Sequence, residues 1–113
     1  MSRAMVRDDS PPDDLARRLS AISFGERRAL LEQLLHAHVR GDTGMTITAL
    51  ATATGTNRFT ASRQLGVLRE SGLVRESREG TRRIHRIDLS GVVAIDDWLY
   101  PFIDAHLAAT GAG

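Results

Sequence analysis

Residues 46–87 constrain this chain more than any other stretch. They read T-I-T-A-L-A-T-A-T-G-T-N-R-F-T-A-S-R-Q-L-G-V-L-R-E-S-G-L-V, then R-E-S-R-E-G-T-R-R-I-H-R-I. Thr46 or Thr48 can cap a short helix that carries Leu50 inward. Gly55 supplies a turn where a positive φ is easily tolerated. Asn57 is a good N-cap for the next helix. On that helix Ala61, Leu65 and Leu68 share one face at helical spacing, and Thr60, Arg63, Gln64 and Val67 share the opposite one. Gly72 closes it. Residues 73–78 and 82–88 then read as two short strands around Glu79-Gly80-Thr81. Two short helices, a glycine turn and a basic hairpin predict a helix-turn-helix with a wing, in an α+β fold that is mostly α.

Charge is concentrated in the same stretch. The whole chain carries only +1, but residues 58–86 hold eight arginines against Glu70, Glu76 and Glu79, a net of +5. A local basic balance is a better sign of a nucleic-acid face than total charge. Every basic residue other than histidine is arginine, whose planar fork suits phosphate and guanine.

The remaining sequence frames this motif. At 113 residues the chain reads as one domain, small enough that pairing with a second copy is plausible. Residues 1–14, with Asp8, Asp9, Ser10, Pro11, Pro12, Asp13 and Asp14, are expected to form a flexible N-terminal tail. The domain is expected to span residues 15–107, with a flexible C-terminal tail over 108–113. Leu15, Leu19 and Ile22 suggest a first helix near 15–22. Ser23 and Glu26 form an S-x-x-E capping box that predicts a second helix from about Phe24. Its buried stripe is Leu30, Leu31, Leu34 and Leu35. Ser90 is expected to cap a last helix with the stripe Val92, Ile95, Leu99, Phe102 or Ile103, and His106; Pro101 should bend or interrupt it. With no cysteine there are no disulfides or thiolate ligands. The chain lacks a membrane-length apolar run and a signal-peptide pattern, so a cytoplasmic location is expected. No nucleophile–base pair, phosphate loop or metal triad argues for an enzyme.

The stretches A-S-R-Q-L-G-V-L-R-E-S-G-L-V (61–74) and R-E-G-T-R-R-I-H-R-I (78–87) resemble the ArsR/SmtB family of bacterial repressors. Its recognition helix and wing look like S-R-H-L-x-x-L-R-x-A-G-L-V and R-E-G-R-x-x-Y-Y-x-L. E-R-R-A-L-L-E-Q-L-L (26–35) is similar to the family's second helix, and W-L-Y-P (98–101) to the end of its last. The resemblance implies five helices with a two-stranded wing, in a homodimer built by the first and last helices that binds a near-palindromic double-stranded DNA operator. The DNA-binding residues are then expected to be Asn57, Arg58, Phe59, Thr60, Ser62, Arg63 and Gln64 on the recognition helix (about 57–70), with Arg78, Thr81, Arg82 and Arg83 in the wing (73–88). The dimer residues are expected to be Leu15, Leu19, Val92, Ile95, Leu99, Phe102 and Ile103. Gln64 stands where the family often has histidine, and His85 replaces its wing tyrosine.

Many members of that family sense metals or oxidants. Its thiol sensor lies near the start of the third helix, where this chain has Thr46-Ile47-Thr48-Ala49-Leu50. Its last-helix zinc and nickel site is matched only by Asp96, Asp97, Asp104 and His106, of which Asp96, Asp97 and His106 are weak metal candidates. His36 and His38 lie two apart, about 200° around a helix, and cannot share an ion. No cofactor and no metal are therefore expected. Two alternatives compete with a DNA-binding regulator: a winged-helix protein–protein module acting with a separate effector-sensing protein, and an atypical metal-responsive repressor with a non-thiol site. The arginine-rich wing argues against the first.

Overall fold

A computed structural model describes residues 13–111. Among them, five helices and one hairpin follow in the order α1 (Asp13–Ala21), α2 (Gly25–Arg40), α3 (Ile47–Thr54), α4 (Arg58–Glu70), β1 (Val74–Glu79), β2 (Arg82–Ile87) and α5 (Leu89–Ala109). Residues 1–12 and 112–113, most of the two expected tails, lie outside the described residues. The rest of those tails is partly helical: α1 already includes residues 13–14, and α5 runs two residues past the expected boundary at 107.

Ala21, Leu30, Leu34, Leu50, Leu65, Leu68, Leu73, Val74 and Ile95 are buried together, so every helix and the first strand contribute to one core. Burying each such leucine contributes roughly 1.5–3 kcal/mol. A helix cap is worth about 1 kcal/mol. The core therefore sets where each helix lies, and the caps set only where it begins.

Two caps form as expected. The Thr46 hydroxyl accepts the Ala49 N–H at 3.2 Å, and the Asn57 side chain accepts the Thr60 N–H at 2.8 Å. Two do not. No side chain caps α2, whose N-cap position is Phe24. The Ser23 hydroxyl instead donates to the Ser20 carbonyl at 2.6 Å, at the end of α1. At α5 the cap is Asp88, which accepts both the N–H and the hydroxyl of Ser90. A carboxylate is favoured at a helix N-terminus, and it displaces the expected Ser90 cap. Pro101 does not interrupt α5, which is continuous through it. The missing bond would have reached Asp97, whose surroundings are exposed, so water can take the freed carbonyl.

The strands pair antiparallel from Val74↔Ile87 to Glu79↔Arg82. Met45 adds one bridged pair on the other edge of β2, exchanging two 2.8 Å bonds with His85. Gly44, at φ 142°, leads into this bridge; a Cβ there would meet the His85 carbonyl oxygen at 2.5 Å. The bridge ties the start of α3 to the wing.

Candidate nucleic-acid interface

The inner face of α4 is fixed. Ala61, Leu65 and Leu68 have no exposed surface. Two arginines outside α4 also hold it. Arg18 of α1 donates to the Ser71 carbonyl at 3.1 Å. Arg27, itself buried, donates to the Ala21 and Ser20 carbonyls and to Gln64 Oε1, the last at 2.7 Å. A guanidinium has only donors, so the Gln64 atom facing it must be the carbonyl oxygen. The Gln64 amide nitrogen meets the Glu26 carboxylate at 3.5 Å. Both ends of this amide are engaged within the chain.

That corrects the expected outer face. Gln64 and Val67 lie half-buried on the flank beside the core, with Val67 packed against it. The face open to solvent carries Arg58, Phe59, Ser62 and Arg63, with Thr60 half-buried at its edge and Asn57 at the cap. Phe59 is 88% exposed, so it does not serve the core. Arg27 escaped the sequence reading although a signal was present: it falls on the stripe of Leu30, Leu34 and Ala37, where an arginine is out of place.

Side chains alternate across the hairpin. On one face Glu76 pairs with Arg69 of α4 at 3.5 Å and with Arg83 at 3.4 Å. Arg78 and Arg83 are cross-strand partners on this face near the tip. Gly80 turns the chain at φ 68°. Thr81, Arg82 and Arg83 are exposed there. Between this tip, Arg58 and the first turn of α3 runs a groove of about 680 Å³. Its walls bring Arg58 of α4 and Arg82 and Arg83 of the wing to one channel.

His85 lies beneath the Glu76 face, 2% exposed, with Nδ1 unpartnered. Burial pushes its pKa below the usual 6.5, and the Arg69 and Arg83 charges push the same way; Glu76 and a Met45 backbone bond oppose them.

The expected dimer residues divide. Ile95 is buried in its own domain's core and Leu19 packs against that core. Leu15 is half-buried. Val92, Leu99, Phe102 and Ile103 are exposed, and so are Val93, Trp98, Tyr100 and Leu107. Trp98 and Phe102 pack against each other with ring centroids 4.8 Å apart and planes tilted by 46°. From residue 96 onward no described side chain of α5 is buried.

Asp96, Asp97 and His106 are likewise exposed on α5. Among the described residues no three His, Cys, Asp or Glu side chains gather into a metal site. No helix there is long and apolar enough to cross a membrane.

Packed helices, a glycine turn, an open-faced helix and a basic hairpin define a winged helix-turn-helix domain. A family model described as a helix-turn-helix domain matches residues 25–77. The chain is 36% identical over 96 residues to the HTH-type transcriptional regulator Rv0324 of Mycobacterium tuberculosis, covering 85% of this chain and 40% of that relative. It is 32% identical to the solved homodimeric winged helix-turn-helix DNA-binding domain (fragment 1–100) of Mb0332 from Mycobacterium bovis, described as a possible ArsR-family transcriptional regulator. That match covers 89% of this chain and 94% of the other, with a TM-score of 0.63. An ArsR-like transcriptional regulator from Rhodococcus sp. RHA1, 23% identical, shares the fold at a TM-score of 0.66 over 86% of this chain and 89% of its own. The chain belongs to the ArsR family of winged helix-turn-helix transcriptional regulators. It spans 40% of the length of the curated relative it matches.

Proposed function

We propose that this chain is a non-catalytic, cytoplasmic regulator that binds a near-palindromic DNA operator as a homodimer. The observation that carries this reading is the open face of α4, set opposite a fully buried face and beside an arginine-rich wing tip. A helix locked on one side and polar on the other fits the major groove. Arg63 and Thr60 read base edges, and Phe59 meets a thymine methyl. Arg58 and Ser62 hold phosphates, and Asn57 fixes the helix start. Gln64 supports the helix from its flank. Arg78, Thr81, Arg82 and Arg83 follow the backbone or the minor groove, with the strand between the two passing through the groove beside α3.

The exposed apolar part of α5 supplies the dimer surface together with α1. Leu99, Phe102 and Ile103 are its centre, and Leu15 and Val92 its edge. Two copies of α4 then lie about one DNA turn apart, roughly 34 Å.

The test is fluorescence anisotropy with DNA from the chain's own upstream region, against random DNA, over a salt series. Specific binding that Arg63→Ala weakens supports the reading. Equal affinity for both DNAs in wild type and variant would overturn it.

A further inference from the structure

The wing carries a second arginine pair that the reading surface does not use. Arg75 and Arg86 are direct cross-strand partners at the wing's root. Like charges placed opposite each other destabilise a hairpin, and a bound anion would relieve that repulsion. Among the described residues neither forms an ion pair; Arg86 makes one bond, to the Ser77 hydroxyl at 3.1 Å. Alternation puts this pair on the face opposite Glu76, hence away from α4.

Both arginines line a cavity of about 470 Å³ where the end of α2, the Thr43-Gly44 loop and the first turn of α5 meet. No residue of α4 lines it. That volume falls within the range of about 300–1,000 Å³ usual for small-molecule sites. Two carboxylates also reach the cavity, and each is already engaged. Asp42 pairs with Arg40 at 3.0 Å, and Asp88 caps α5 through Ser90. The two arginines are therefore the charges left without a partner.

We propose that this cavity is a binding site for a small molecule bearing a phosphate or paired carboxylates, held by the Arg75 and Arg86 forks. Guanidinium pairs match such groups bidentately. A bound anion bridges the wing root and the start of α5, which joins the two parts assigned to DNA and to the dimer. That regulatory consequence rests on the DNA-binding reading; the site itself does not.

The experiment therefore begins without DNA. Inorganic phosphate and citrate are titrated separately into isotopically labelled full chain, with sodium chloride matched for ionic strength. Saturable amide shifts at Gly44, Arg75, Arg86 and Ser90 with either probe, absent with chloride, are expected. Arg75→Thr should abolish them. It should also raise the melting temperature of the ligand-free protein, because it removes the facing charge. Shifts that do not saturate, or that survive in Arg75→Thr, would overturn the proposal. DNA affinity is then measured in phosphate-free buffer. Unchanged affinity in Arg75→Thr supports a small-molecule site, whereas weaker binding with a flatter salt slope would make the pair a DNA-backbone anchor and overturn it.

Discussion

Helices α4 and α5 both expose aromatic side chains, but they stand differently in the molecule. Helix α4 is held by its own chain along its whole length: three fully buried residues, a cap, and bonds from Arg18 and Arg27. What it exposes is mostly polar. Helix α5 buries only Gly91 and Ile95 in 21 residues, and its outer half is apolar on the surface. The face proposed to read DNA is complete in one chain. A face such as that of α5 stays costly until a second surface covers it.

The sharpest way to break this comparison is Leu99→Asp. Leu99 is 38% exposed and outside the core cluster, so the domain should still fold. A buried carboxylate at the pairing surface has no partner. Sedimentation should give the mass of one chain. Affinity for a two-half-site operator should fall roughly 100-fold or more, because a single chain holds only one half-site. A variant that remains dimeric would place the interface elsewhere.

Within α4 the comparison is between Arg63 and Gln64. Arg63→Ala should cost about 1–3 kcal/mol on the specific site and leave the melting temperature unchanged. Gln64→Ala and Arg27→Ala should instead destabilise the fold, each by about 1–3 kcal/mol, because they strip partners from buried polar groups. Thermal melting and anisotropy on the same three proteins separate the two behaviours. If Gln64→Ala keeps its stability and loses specificity, the amide is a reader after all.

A smaller effect is expected from the wing. Replacing Arg82 and Arg83 by Ala should weaken operator and random DNA alike. The slope of log affinity against log salt should flatten by about 0.9 for each phosphate that is no longer neutralised. Weakening restricted to the operator would show that these side chains read bases.

How much of this was legible depended on range. The order of elements and the Asn57 and Thr46 caps follow from local spacing and are present in the structure. Of the expected stripe on α2, Leu30 and Leu34 are buried and Leu31 packs beside them, but Leu35 is exposed, because that stripe is wider than the face the core covers. The placement of Gln64 was not legible, because its partner Arg27 lies 37 residues away and helical periodicity alone cannot show a bond across helices. The failed Ser23 cap has a similar cause: the motif was intact, but α1 ends so near that the hydroxyl bonds backward to Ser20. Spacing alone groups Ile95 with Leu99, because their stripe is continuous. Packing buries Ile95 in the core of its own chain and leaves Leu99 exposed.

The smallest effect concerns pH at the joint between α4 and the wing. His85 is buried there among Glu76, Arg69 and Arg83, with its folded pKa below 6.5. A depressed folded value means that the unfolded chain takes up the proton first. The stability contributed by neutral His85 is therefore full above about pH 6.5, the unfolded value. It declines as pH falls below that and through the depressed folded value. Melting temperature should drop on going from neutral to mildly acid buffer. His85→Gln, which cannot take up the proton, should flatten that dependence while Arg63→Ala leaves it unchanged. If His85→Gln retains the full acid sensitivity, the pH response arises elsewhere, and the joint between α4 and the wing is held by packing rather than by charge.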